Sequence, residues 1–222
     1  MFDIFRFGLN ITTIIYSIAF LVAILFSISA HEYAHGYIAN KQGDATAKYY
    51  DRLTLNPFAH FDVLGFLSLL LFGFGWAKPV PINPLKFREY KKGIFLTSIA
   101  GIVTNIFLAF FCSGIFVLLC KIEVANTSFL FYILLLITYI FYFCAIVNIN
   151  LAVFNCLPIA PLDGFNILVS MTNGNNKFVD FMFKYGSIIL ILVIAISSVA
   201  NVLGLVGGSI SNIFINFWKW VL

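Results

Sequence analysis

The stretch HEYAH, residues 31 to 35, places two of the chain's three histidines four positions apart, with a glutamate directly after the first. On an α-helix this spacing brings His31 and His35 onto one face, about 6 Å or one turn apart, and sets Glu32 to one side of them. Two imidazoles so placed can ligate one metal ion, and the neighbouring carboxylate can serve as general base toward an attacking water. That is the H-E-x-x-H arrangement of zinc peptidases. With three His and three Glu in 222 residues, chance writes this pattern well under about one time in a thousand. The plain alternative is a pair of interfacial histidines at a helix end, and it is disfavoured because ionisable groups at membrane depth are functional by default.

A catalytic zinc normally takes three protein ligands and leaves a further position open. A third His, Asp, Glu or Cys must therefore reach the same depth. The segment NLAVFNCLPIAPLDG, residues 150 to 164, closes an apolar run and carries Asp163, the only acidic residue between Glu123 and Asp180. On the residues alone two readings stand: Asp163 completes the site, or Asp163 and Gly164 form a turn behind Pro158 and Pro161. His60, the remaining histidine, either acts near the site, since imidazole is the commonest metal ligand, or closes its own loop with a hydrogen bond. Cys112, Cys120, Cys144 and Cys156 lie in or beside apolar runs without C-x-x-C spacing, which suits packing residues better than a disulfide framework or thiolate zinc site.

The elements that must carry these groups are membrane spans. The chain is 62% hydrophobic and 10% charged, with mean hydropathy +1.01, more apolar surface than one soluble core can bury. The net charge of +4 comes from dispersed basic residues, which excludes a nucleic-acid patch. Runs of the roughly 20 residues needed to cross the hydrocarbon occupy about residues 9–30, 93–120, 129–155 and 185–205. A fifth candidate, about 206–222, ends in the interfacial group Trp218, Lys219, Trp220. The first run is a retained span rather than a cleaved signal, since Ile28 would occupy the −3 position of a cut after Ala30. The run 63–75 is too short to cross and is broken by Gly65, Gly73 and Gly75, so it predicts a re-entrant or interfacial element. Eight Lys and Arg fall between residues 41 and 92, which predicts that loop in the cytoplasm and the N-terminus outside. The ends of the first and third runs then emerge on the same face. The expectation is an all-α polytopic membrane protein of about four to six transmembrane helices. A short re-entrant or edge-strand element lies between the first and second spans. One domain covers 1–222, with a catalytic core at about 9–170 and C-terminal helices at about 171–222.

Four stretches carry a resemblance. HEYAH, NCLPIAPLDG, LNPFAH followed by GWAKPVPIN, and AGIVTN together resemble the site-2 protease family of intramembrane zinc metalloproteases, in particular its small bacterial and archaeal members without a PDZ insertion. The resemblance covers about residues 25 to 170. It implies one Zn²⁺ per chain held by His31, His35 and Asp163, with Glu32 as catalytic acid and base. It also implies Asn155 as the asparagine that polarises the scissile carbonyl or positions the substrate. AGIVTN departs from the pattern at Ile102, where many relatives have proline, a backbone difference away from the ligands. The implied activity is an endopeptidase of the cell membrane that cuts single-span membrane proteins near the cytoplasmic side. Its partners would be those substrates and the lipid bilayer, with no nucleic acid, and the sequence leaves the oligomeric state open. AKPVPIN, whose prolines suit a sheet edge, is the expected place for an unwound substrate strand to pair. Two other classes fit the residues less well: a catalytically inactive scaffold or chaperone for membrane helices, which need not keep the base, and a transporter, which would need a path of polar groups.

Overall fold

The computed structural model describes residues 10–72, 75–125, 128–172 and 176–222, and every regular element among them is helical. In chain order these are α1 (Ile11–Lys41), α2 (Thr46–Tyr49), α3 (Val63–Phe72), α4 (Tyr90–Leu119), α5 (Phe129–Asn155), α6 (Asp163–Met171), α7 (Lys177–Ala195) and α8 (Ser197–Val221). Single 3-10 turns lie at Pro57–Ala59 and Pro84–Lys86. Asn10, Ser128 and Asn176 cap α1, α5 and α7 by accepting first-turn N–H groups, which satisfies donors that a helix start leaves orphaned. Helices α1, α4, α5 and α7 are each long and apolar enough to cross a membrane. The chain is an all-α polytopic membrane protein.

Small and polar residues at every fourth position decide how the spans meet. Helix α1 buries Ile15, Ala19, Ala23, Ser27, His31, His35 and Ala39. Helix α4 buries Gly93, Thr97, Gly101, Asn105, Ala109, Ser113 and Val117. A four-residue step returns to nearly the same helix face, so each set forms one stripe. Narrow side chains there let backbones approach closely, the way membrane helices gain packing without a hydrophobic drive between them. Helices α1, α4 and α5 pack on one another pairwise. The metal-binding candidates of α1 thus belong to its packed stripe and not to its lipid face.

The expected run 185–205 is divided: Ile196 has extended backbone (φ −80°, ψ 105°) and separates α7 from α8. Hydropathy reads straight through such a one-residue break. Helix α8 packs along α5 and α4. The Trp218 indole donates to the Phe110 carbonyl at 2.9 Å and fills the notch left by Gly114, where a Cβ would lie 2.8 Å from its ring.

Between α1 and α4 the chain folds back on the bundle. Residues of α3 and its return, among them Gly65, Phe66, Leu69 and Trp76, enclose a small cavity with Ile24, Leu25, Ile28 and Ser29 of α1. These α1 positions precede the histidines, so α3 lies beside the interior turns of the span, as expected of a re-entrant element. Gly65 and Gly75 bring the two arms together, since a Cβ on Gly65 would overlap the Trp76 carbonyl and one on Gly75 the Gly65 carbonyl. Residues 73 and 74 of the expected 63–75 run lie outside the described residues. The edge-strand alternative is not realised: residues 75–83 have no regular structure, and Pro79 and Pro81 remove the donors a ladder needs.

Main-chain and side-chain hydrogen bonds strap that segment down instead. Lys78 N–H donates to the His60 carbonyl at 2.9 Å, and Arg52 Nη2 donates to the Lys78 and Pro79 carbonyls at 2.7 and 3.2 Å. Asn83 N–H donates to Asp44 Oδ2 at 2.6 Å. Asp44 is fully buried and also accepts from the Thr46 hydroxyl and, at 3.0 Å, the Thr46 N–H. Burial disfavours its anion, but the Thr46 hydroxyl, the Asn83 and Thr46 N–H groups and nearby Lys86 outweigh burial and hold the carboxyl below its ordinary 3.8. A depressed folded-state value contributes stability in full above the ordinary value, and that contribution is lost as pH falls through the folded-state value. Asp44→Ala is therefore expected to cost about 1–3 kcal/mol at neutral pH by orphaning buried donors. Thermal melts should show the gap from wild type closing in acid, and a gap independent of pH would refute this.

Candidate metal centre and catalytic cavity

The H-E-x-x-H face of α1 meets α4 where the chemistry needs it. His31 and His35 point their Nε2 atoms at each other, 3.0 Å apart, and Asp163 Oδ2 lies 3.4 Å from the first and 3.3 Å from the second. All three residues are buried. Asp163 opens α6, where the helix N-terminus favours a carboxylate. Gly164 lets that start sit on the end of α5, since a Cβ there would overlap the Cys156 carbonyl. Among the described residues, His31, His35 and Asp163 form the group able to hold a metal ion.

Helix α4 fixes which ring nitrogens face inward. The His35 Nδ1–H donates to the Thr97 carbonyl at 2.8 Å. A carbonyl only accepts, so His35 is protonated on Nδ1, and its neutral ring presents a bare Nε2. His31 Nδ1 lies 3.2 Å from Asn105 Oδ1, which assigns the same tautomer. Two lone pairs and a carboxylate oxygen without a hydrogen-bond partner then converge within 3.4 Å. Such a triangle is repulsive unless a cation sits among its corners. Ligands about 2.0–2.1 Å from a tetrahedral zinc are about 3.3–3.4 Å apart, and two imidazoles with one carboxylate are a donor set that zinc takes. The residues present fit the ion.

Gly101 makes this approach possible. A Cβ on it would lie 2.5 Å from His31 Cε1 and 2.6 Å from His35 Nε2, closer than nonbonded atoms tolerate. Gly101→Ala is expected to push the rings apart and to lower zinc occupancy of the purified protein at least tenfold, on the scale of displaced second contacts at metal sites. Metal analysis checks this, and wild-type occupancy in the variant would show that the helices simply yield.

Glu32 and Asn155 line one cavity of about 480 Å³ with the two histidines and Asp163. Glu32 Oε2 accepts the Val80 N–H at 2.7 Å, and Val80 carries the one N–H among residues 79–81, between Pro79 and Pro81. Asn155, the last residue of α5, donates one Nδ2 hydrogen to the Leu151 carbonyl at 2.9 Å. Apolar walls come from Val80, Ile82, Phe87, Leu162 and Phe183. His60 stands apart: it is buried, its Nε2–H donates to the Thr54 carbonyl at 2.9 Å, and it lines the small α1–α3 cavity. This is the loop-closing reading of His60.

AGIVTN singles out Gly101 and Asn105 without giving them a role at the site, and Thr97 belongs to no motif. The signal that finds them is their four-residue spacing inside an apolar helix, read together with H-x-x-x-H on α1.

Comparison with known proteins finds a peptidase family and a bacterial relative. Residues 122–197 match the model of peptidase family M50. A 148-residue stretch, 67% of this chain, is 40% identical to a Bacillus subtilis (strain 168) protein named "Putative zinc metalloprotease YwhC" and spans 66% of that protein, just under two thirds of its length. No solved structure matches the chain. The chain belongs to peptidase family M50, the site-2 protease family.

Proposed function

We propose that the protein is a zinc-dependent intramembrane endopeptidase that cleaves single-span membrane proteins near the cytoplasmic face. The observation that carries this reading is the convergence of His31 Nε2, His35 Nε2 and Asp163 Oδ2 within 3.4 Å of one another, in one cavity with Glu32 and Asn155. His31, His35 and Asp163 would hold the ion. A zinc ion bound there supplies Lewis acidity, which acidifies water and polarises a carbonyl oxygen.

The chain's own groups do the rest. Glu32 has one oxygen engaged by Val80 N–H, so Oε1 is the atom that takes a proton from the attacking water and passes it to the leaving amine. Asn155 has a second amide hydrogen beyond the one given to Leu151, and a side-chain amide donor aimed at a developing oxyanion stabilises it. A substrate helix hides its carbonyls in its own ladder, so helix-breaking residues near the cut favour reaction. The Lys and Arg between residues 41 and 92 favour the cytoplasmic side for this end of the bundle, and water would reach the site from there.

The test is reconstitution in liposomes with a single-span protein carrying a helix-broken segment. Cleavage should stop when a chelator strips the metal and return when about one equivalent of zinc is added back. Cleavage that ignores the chelator refutes a metal mechanism, and metal-loaded protein that binds but never cuts the substrate points to a scaffold.

A further inference from the structure

Asn105 is fully buried in the middle of the α4 stripe, and its carboxamide meets the outer nitrogen of His31. It does not line the catalytic cavity. Its Oδ1 lies 3.2 Å from His31 Nδ1, while its Nδ2 has no hydrogen-bond partner. A side chain kept only for packing would not leave a buried donor unmatched, because that costs about 1–3 kcal/mol. The oxygen end is therefore the part the site uses.

The two histidines differ in how their outer nitrogens are held. His35 Nδ1–H donates to the Thr97 carbonyl, a backbone acceptor that substitution cannot remove. The partner of His31 is the Asn105 side chain. If that amide were turned, its NH₂ would donate to Nδ1, and the ring proton would move to Nε2, the atom facing Asp163. An inward N–H cannot ligate. An amide oxygen also holds the ring without adding a second buried negative charge beside Asp163. Resting on the zinc reading above, we infer that Asn105 is a positioning residue that holds His31 in its Nδ1–H tautomer, so that Nε2 is free for the metal.

The experiment measures zinc affinity by chelator competition for wild type, Asn105→Leu and Asn105→Asp in detergent, alongside thermal melts of the metal-free proteins. Leu keeps the volume and removes the acceptor. Its zinc affinity should fall about 10- to 100-fold while the metal-free melt stays at the wild-type temperature or above. Asp keeps the acceptor and strengthens it, so it should bind zinc at least as tightly as wild type, even where a buried charge lowers its melt. A Leu variant less than tenfold weaker overturns the inference, as does an Asp variant that binds zinc more weakly than wild type. Should Leu fail to fold, the Asp affinity alone decides. Wild type that binds no zinc would sink the metal reading itself, a result distinct from wild type and Leu binding alike.

Discussion

Glu32→Gln is expected to slow cleavage by about 10²- to 10⁴-fold, the usual range for losing general acid and base catalysis, while zinc content stays at the wild-type level. Glutamine is isosteric and its amide oxygen can still accept the Val80 N–H that Glu32 now binds at 2.7 Å. The strap over residues 78–83 should therefore stay in place, and the missing property is proton transfer alone. Substrate should accumulate uncut on the variant. Metal analysis and single-turnover cleavage, run on the same preparation, check both halves. Cleavage near the wild-type rate would reassign Glu32 to anchoring the strap.

Asp163→Ala should fail in the opposite order, losing the metal first and activity as a consequence. Its Oδ2 is the negative corner of a triangle whose other corners are uncharged imidazole nitrogens 3.0 Å apart. Removing it leaves two protein ligands where catalytic zinc sites keep three. Occupancy should drop from close to one equivalent to a small fraction, and activity to background. Full occupancy would move the third ligand elsewhere in the chain. Together the two variants separate holding the ion from using it.

The chemistry was more legible in the sequence than the scaffold around it. HEYAH and the D-G pair stand out because each packs its function into a few neighbouring residues, and the all-α membrane class follows from hydropathy alone. The side-chain contacts that orient the histidines did not stand out. Asn105 meets His31 across 74 positions and Thr97 meets His35 across 62, and nothing local in the sequence registers such a pairing. The expected strand in AKPVPIN failed for a related reason: its prolines were read as marks of a sheet edge, yet Val80, the residue between them, spends its N–H on Glu32. The break at Ile196 was hidden because an apolar residue in extended backbone looks like any other apolar residue to a hydropathy window.

The length of α1 sets what becomes of the two halves of a cut substrate. From Ile11 to His31 the helix climbs about 30 Å, the thickness of the hydrocarbon, so a span that enters the lipid at Ile11 brings the His pair close to the far boundary. On the proposed reading, a span severed at that level is divided very unequally. The larger piece keeps nearly all of the roughly 20 residues that anchor a helix and stays in the lipid. The other carries only a turn or so of apolar sequence, too little to hold it, and diffuses away as a water-soluble fragment. A protease with its ligands at mid-bilayer would leave both stubs embedded; placed here, the same reaction becomes a one-way release of the domain on the near side.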